Sequence, residues 1–273
     1  MTPAALLATL VLAADPVTFV AVAPGYPGTT AEAQASMDGF AAALAAQAGL
    51  PAGSVAAVYV EKDLPGAERL QKPDAALGMV SLPFFLKEGD ALHLEPRLGA
   101  AQKGTGATEV WALVARKGRV TGPASLDGWQ VSSIAGYAPA FVTGTALSGW
   151  GRMPSSVKVV QTGQVLSALR KAVAGENVAV LLDGAQAAAL PTLPFAAELE
   201  VVARSAPLPT GVVVTVAKRL TPERWKALEK ALRQLGDHPE GAAALEAIRL
   251  QGFVPLETAS LAAARKAYGA ATK

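Results

Sequence analysis

The chain has 273 residues, a formal net charge of +2 and no cysteine, so it is long enough for one large domain or two lobes. The scattered Lys and Arg residues give no nucleic-acid-binding patch, and the lack of cysteine excludes disulfides and thiolate metal sites. Half of the residues are hydrophobic, but much of this is alanine, and no stretch reaches the ~20 apolar residues of a membrane-spanning helix.

The N-terminus has the pattern of a cleaved export signal. Residues 4–12 form a short apolar run, and the small residues after it allow cleavage near Ala13 or Ala14. No Lys or Arg precedes the run, so an ordinary buried N-terminal helix is the alternative. We expect residues 1–14 to be a signal peptide. No cysteine follows the run, which excludes a lipid anchor.

The first 85 residues alternate between strand and helix patterns. Apolar runs at 17–23, 54–60 and 75–80 predict buried strands. Thr29, with Glu32 three residues later, predicts a capping box at the start of the helix between the first two strands. A short helical piece precedes the third strand. This βαβαβ order predicts a parallel sheet.

The next region changes character. Residues 92–100 and 109–117 have extended patterns and are separated by the glycine-rich stretch 102–106. Such a pair is typical of strands that leave one sheet and join another. Another strand is predicted at 130–133, followed by a helix at 138–147.

A second strand–helix–strand unit follows. Residues 157–160 predict a strand buried on both faces, and a helix comes after it, with Gly175 placed for a left-handed C-terminal cap. Residues 178–182 predict the next strand. A unit of this length predicts a right-handed crossover between parallel strands.

Asp183 comes directly after the strand at 178–182. In open α/β sheets, ligands bind just beyond the carboxyl ends of the strands, which favours a ligand contact. Asp is also favoured at helix N-caps, where it accepts hydrogen bonds from free backbone N–H groups. Both interpretations of Asp183 stay open.

The remainder of the chain returns from the second unit and ends in helices. Residues 199–204 and 211–218 are extended. Thr221 predicts the cap of one helix and Asp237 the cap of the next, and 258–268 predict the last helix.

Three motifs carry a resemblance to a known family. They are Ser125-Leu126-Asp127-Gly128 before a strand, the strand at 178–182 ending in an acidic residue, and Asp237-His238-Pro239-Glu240-Gly241 with the later Gly252-Phe253-Val254-Pro255. In this order, between two βαβ halves joined by two crossings, they resemble periplasmic solute-binding proteins of ABC transporters, in the phosphate/phosphonate-binding branch. The likeness spans roughly residues 17–268.

The resemblance implies an α/β fold of the type II periplasmic binding protein kind. It has two lobes, each a mostly parallel sheet flanked by helices, with two crossovers. We expect residues 17–100 plus 205–273 to form the first lobe and 101–204 the second. The resemblance also implies a periplasmic monomer that captures a small ligand between its lobes and delivers it to an ABC-transporter permease. A phosphate or phosphonate receptor proper, and a bilobal sensor or scaffold without a transport role, are alternatives.

One departure from the family bears on the ligand. In phosphonate binders, the loop after the first strand of the second lobe carries Ser, Thr and Gly, which hold an oxyanion at a helix N-terminus. Here that loop, residues 134–139, has no such cluster, and Pro139 lacks an N–H. We expect a cleft lined also by Phe84 and Phe141, better suited to an apolar or aromatic ligand. The predicted ligand-binding residues are Tyr26, Ser81, Leu82, Gly136, Tyr137 and Asp183.

Catalytic and cofactor motifs are missing from the sequence. His93 and His238 are expected at the surface or at a cap, and Gly104-Thr105-Gly106 lacks the third glycine of a dinucleotide fingerprint. No His or carboxylate pair has metal-ligand spacing. We expect a binding protein with no enzymatic activity, no cofactor, no bound metal and no nucleic-acid partner.

Overall fold

The computed structural model describes residues 16–26 and 28–272; the predicted signal peptide lies outside these residues. The strands are β1 Val17–Val22, β2 Val55–Val60, β3 Ala75–Ser81, β4 Leu94–Gln102, β5 Thr108–Glu109, β6 Ala112–Arg116, β7 Gln130–Ser133, β8 Lys158–Gln161, β9 Val178–Leu182, β10 Leu199–Arg204, β11 Leu208–Pro209, β12 Gly211–Val216 and β13 Leu250–Pro255. The α-helices are α1 Thr30–Gln47, α2 Asp63–Gln71, α3 Leu82–Glu88, α4 Val165–Val173, α5 Gly184–Ala189, α6 Pro222–Arg233, α7 Pro239–Ala247 and α8 Thr258–Ala271, and a π-helix covers Phe141–Ala146.

Strands from both ends of the chain form a six-stranded sheet in the order β13-β4-β12-β3-β1-β2. β1 pairs in parallel with both β2 and β3, which confirms the parallel βαβαβ unit predicted for the first 85 residues. β12, β4 and β13 extend the sheet as antiparallel strands. This sheet and its helices make the first lobe.

A five-stranded sheet in the order β10-β6-β9-β7-β8 makes the second lobe. β7 lies between β8 and β9 and is parallel to both, as the strand–helix–strand pattern predicts. The prediction that β8 is buried on both faces is wrong. β8 is an edge strand, and its Val160 is 37% exposed, because α4 packs over β9 and β6 and leaves β8 uncovered.

The chain crosses twice between the sheets, from β4 to β6 and from β10 to β12. The two crossings lie side by side, because β5 and β11 pair as an antiparallel ribbon in which Leu208 faces Glu109. We propose that the lobes comprise residues 17–100 plus 205–273 and residues 101–204. Within the described residues, no helix is long and apolar enough to cross a membrane.

One apolar cluster runs through both lobes. At its centre the ring of Trp111, from the first crossing, meets Phe141 of the π-helix edge-on, with centroids 5.0 Å apart. α8 packs against this seam. Its Arg265 lies over the ring of Phe85 in α3, and a Cβ on Gly144 of the π-helix would lie 2.0 Å from the Cβ of Ala271. The last helix therefore touches elements of both sheets.

Two of the three predicted helix caps are confirmed. Thr29 forms a complete capping box with Glu32, and Thr221 accepts a hydrogen bond from the N–H of Arg224. The prediction for Asp237 is wrong, since α7 is capped by His238 without a side-chain hydrogen bond. Asp237 instead ends a 3-10 turn, and the helix begins at the proline after His238, whose fixed φ suits a first helical position.

Two helical glycines offer a matched test of the packing. A Cβ on Gly66 of α2 would lie 2.3 Å from Cγ1 of Val22, whereas nothing lies within 4 Å of a Cβ on Gly39 of α1. We expect Gly66→Ala to lower the free energy of unfolding by about 1–3 kcal/mol through overpacking. Gly39→Ala should raise it by about 0.5–1 kcal/mol, because alanine favours the helix. Urea denaturation measures both, and equal effects would contradict this packing of α2 on β1.

Candidate functional site

The candidate site lies where the strand ends of the two lobes face each other. The first lobe contributes residues after β1 and β3, the second lobe residues after β7, and the crossings the rest. The lining residues are Pro24, Tyr26, Ser81, Pro83, Glu109, Trp111, Ile134, Ala135, Tyr137 and Thr210. Only about 10 Å³ remains in which the centre of a water molecule can lie, roughly the room for one water.

The lobes approach closely at the turn after β1. Gly25 has φ +83°, a conformation that favours glycine, and a Cβ there would lie 2.8 Å from the carbonyl oxygen of Ile134 in the second lobe. A larger residue at this position would hold the two loops apart. The turn therefore brings the next residue, Tyr26, directly to the second lobe.

Two buried carboxyl groups meet at this point. Asp183 is 2% exposed and Glu109 is 6% exposed. Asp183 is the N-cap of α5, and its Oδ1 accepts a hydrogen bond from the N–H of Gln186 at 2.8 Å. Glu109 Oε2 accepts one from the N–H of Gly184, also at 2.8 Å. Both carboxyl groups thus lie at the first turn of the same short helix.

Burial dominates the ionisation of this pair. It raises the pKa of Glu109 to about 8, and the charge of Asp183 raises it further, against the opposing effect of the Gly184 N–H. Burial also raises the pKa of Asp183, although hydrogen bonds from Gln186 and Tyr26 partly offset it. The interface therefore favours protonated carboxyl groups when no positive charge lies beside them.

Tyr26 connects the first lobe to this acidic pair, because its hydroxyl donates a hydrogen bond to Asp183. Burial raises the pKa of Tyr26 well above its usual value, and the charges of Asp183 and Glu109 add to the effect. The hydroxyl therefore stays protonated and acts as a donor.

A second hydrogen bond joins the lobes. The hydroxyl groups of Ser81, at the end of β3, and Tyr137, after β7, lie 3.0 Å apart. Lys87 Nζ lies 5.7 Å from the centroid of the Tyr137 ring and forms ion pairs with Asp63 and Glu88. Burial also raises the pKa of Tyr137, so its hydroxyl is neutral as well.

The loop at 134–139 offers few free donors for an anion. The N–H of Ala135 donates to Ser133 Oγ, that of Gly136 to the Ser133 carbonyl, and that of Ala138 to the Ala135 carbonyl. Pro139 has no N–H. The donors that could surround an oxyanion are largely used within the loop.

The structure brings four of the six predicted ligand-binding residues to the interface. Tyr26, Ser81 and Tyr137 line the cavity, and Asp183 contacts Tyr26 while capping α5, so the cap interpretation of Asp183 is confirmed. Gly136 does not line the cavity. A Cβ on it would lie 2.3 Å from the backbone nitrogen of Gln161, next to β8.

Three apolar residues expected near the ligand lie in the core. Leu82, Phe84 and Phe141 are at most 1% exposed and are absent from the cavity lining. They pack the seam between the lobes behind the cavity. Whether any of the six predicted residues contacts a ligand stays a prediction.

Sequence reasoning missed the contribution of the crossing segments: Glu109, Trp111 and Thr210. Glu109 gave one local signal, since a single acidic residue directly before an apolar strand is unusual. Its pairing with Asp183 depends on a contact between residues far apart in the chain, which no local pattern records.

Two buried donors at the interface have no hydrogen-bond partner of good geometry. They are Nε1 of Trp111, which faces Glu109, and Oγ1 of Thr105 in the first crossing. Buried polar groups are nearly always paired, because an unpaired one costs about 1–3 kcal/mol. Unpaired donors beside two carboxyl groups are typical of a site built for a partner outside the chain.

The chain gives no sign of metal or histidine chemistry at this interface. Among residues 16–26 and 28–272, no group of three His, Asp or Glu side chains could hold a metal ion. His93 and His238 are both exposed, and His238 is the N-cap of α7.

Two lobes, two crossings and a site between the strand ends define the class of type II periplasmic binding proteins. The binding protein component of an ABC phosphonate transporter from Pseudomonas aeruginosa has a similar structure, with a TM-score of 0.67 and 13% identity over 95% of this chain and 87% of that chain. XAC2383 from Xanthomonas citri, solved with chloride, gives 0.73 and 14% over 93% and 98%. PhnD1 from Prochlorococcus marinus, solved with methylphosphonate, gives 0.59 and 13% over 92% and 98%.

A family model places the chain more narrowly. The model for the periplasmic substrate-binding protein of phosphonate ABC transporters matches residues 99–261, more than half of the chain. The chain therefore belongs to this family, whose members bind substrates for ABC transporters. No curated protein matches the chain by sequence.

The raised pKa of Glu109 predicts how stability depends on pH. Between the ordinary pKa of a glutamate and about 8, the folded state holds a proton that the unfolded state has lost. The free energy of unfolding should therefore fall as pH rises from about 5 to 8, by up to about 1.4 kcal/mol per pH unit, and then level off. In Glu109→Gln this part of the slope should disappear. Urea denaturation across this range measures it, and an unchanged slope in the variant would contradict the buried state of Glu109.

Proposed function

We propose that the protein is a periplasmic receptor that captures a small solute between its lobes and delivers it to an ABC-transporter permease. We further propose that the solute carries an amine or several hydrogen-bond donors, and does not bind through a phosphonate group. The observation that carries this proposal is the pair of buried carboxyl groups, Glu109 and Asp183, at the interface between the lobes.

The same interface disfavours an anion. An oxyanion that leaves water must recover its hydrogen bonds from converging N–H and hydroxyl donors. In the loop at 134–139 those of Ala135, Gly136 and Ala138 are already used. The charge of an ionised Asp183 or Glu109 would add repulsion.

A cation suits the interface better. An ammonium group beside Glu109 and Asp183 would replace the proton that burial otherwise favours, and so would turn a desolvation cost into an ion pair. The faces of Tyr26 and Tyr137 line the same space and suit an apolar or aromatic body on the ligand. The remaining 10 Å³ is too small for such a ligand, so the lobes must move apart for it to enter.

A bilobal scaffold or sensor without transport is the second candidate. The very small cavity and the apolar cluster shared by both lobes favour it. Against it stand the unpaired Trp111 Nε1 and the two carboxyl groups, since a permanently closed interface gains nothing from buried groups that lack partners. An interface that opens and exchanges these groups for ligand contacts accounts for them.

Calorimetric titration tests the ligand class. We expect phosphate, methylphosphonate and 2-aminoethylphosphonate each to bind more weakly than ~1 μM, about −8 kcal/mol. Among amines, tyramine, which carries a ring, should bind more tightly than putrescine, and Asp183→Asn with Glu109→Gln should abolish both. Micromolar or tighter binding of any phosphonate would show that the anion site has been misplaced. Tyr137→Ala should weaken tyramine, with Tyr59→Ala as a control in the first lobe.

Small-angle X-ray scattering separates the receptor from the scaffold. Raising the pH from about 6 to 9 ionises Glu109 and Asp183, and their repulsion and hydration should open the lobes and increase the radius of gyration. The double variant Glu109→Gln, Asp183→Asn should change less over the same range. A radius that stays constant in the wild-type protein would favour the scaffold.

A further inference from the structure

The second lobe carries a polar groove on the face opposite the cleft. It lies between α4 and the strands β7 and β8, and we call it the α4 groove. About 200 Å³ of it is open to the centres of water molecules, far more than between the lobes. Its lining residues are Gln130, Ser132, Val160, Gln161, Thr162, Gln164, Ser167, Ala168 and Lys171.

The groove exists because a helix is displaced from its usual place. Parallel strands are generally covered by helices on both faces. Here α4 packs over β9 and β6, and the face of β7 and β8 on that side is left open. Val160, on the floor of the groove, is therefore 37% exposed.

The sequence of β7 matches this open floor. A buried parallel strand normally carries Val, Ile or Leu, but β7 places Gln130 and Ser132 on the groove side. Ser132 is 1% exposed, and its Oγ accepts a hydrogen bond of 2.7 Å from Nε2 of Gln130. This leaves the Ser132 hydroxyl proton and the Gln130 carbonyl oxygen for another partner.

The remaining lining has one chemical character. Amide and hydroxyl groups, which both donate and accept hydrogen bonds, supply most of the polar atoms, and no carboxylate lines the groove. Lys171 provides one positive charge at the α4 wall. Val160 and Ala168 provide two small apolar contacts.

We propose that the α4 groove binds a small hydroxylated carboxylate of the sugar-acid class. Its hydroxyl groups would exchange hydrogen bonds with the amide and hydroxyl side chains, its C–H groups would lie on Val160 and Ala168, and its carboxylate would pair with Lys171. Aromatic side chains are absent from the lining, so the recognition rests on hydrogen bonds rather than stacking. This site is separate from the cleft and does not depend on the cleft ligand.

Titration of the full chain with D-gluconate and D-galacturonate tests the proposal, with D-glucose as the neutral comparison. We expect saturable binding of at least one acid and weaker binding of glucose. Lys171→Gln should weaken the acid about tenfold, because it removes a charged hydrogen bond, and should leave glucose unaffected. Lys226→Gln, an exposed lysine on α6, is the matched control and should change nothing.

Ser167→Leu fills the groove from an exposed position on α4 and should abolish binding without affecting the fold. Ser132→Ala should weaken it, since the floor loses its hydroxyl. The proposal fails if neither acid binds, or if Ser167→Leu binds as the wild type does. It fails equally if Tyr137→Ala abolishes binding while Ser167→Leu does not, because the acid would then occupy the cleft.

Discussion

The burial of Glu109 and Asp183 where the lobes meet is the constraint on which closure depends. A carboxylate removed from water loses hydration that the protein must replace. The N–H groups at the start of α5 and the hydroxyl of Tyr26 replace part of it, and the raised pKa of Glu109, about 8, shows that the replacement is incomplete. The closed interface is therefore stabilised by anything that supplies a positive charge, whether a proton or a ligand.

This constraint explains why the contacts between the lobes have two kinds. The apolar seam of Trp111, Phe141 and α3 holds the lobes together whatever the protonation state. The polar contacts of Tyr26 and Ser81 with the second lobe depend on geometry and charge. A receptor needs both, because the first gives a defined closed position and the second makes that position respond to the contents of the cleft.

Local patterns predicted most of the fold, and the failures have physical causes. The Thr29 capping box and the order of the strands follow from neighbouring residues, and both are confirmed. The exposure of β8 could not be predicted, because an apolar run does not reveal whether a helix will cover it. The site was predicted only in part for a similar reason. Tyr26, Tyr137 and Asp183 follow strands and give a local signal, whereas Glu109 acquires its role through a contact with Asp183, 74 residues later in the chain.

The position of α8 has a practical consequence. Because this helix touches both the π-helix and α3, a small rotation of one lobe must change the surroundings of its exposed side. The sequence contains no cysteine, so a single one introduced at the exposed Lys266 would be the only thiol available for labelling. An environment-sensitive dye attached there would convert lobe movement into a fluorescence signal, and would make the protein a starting point for a reagentless biosensor.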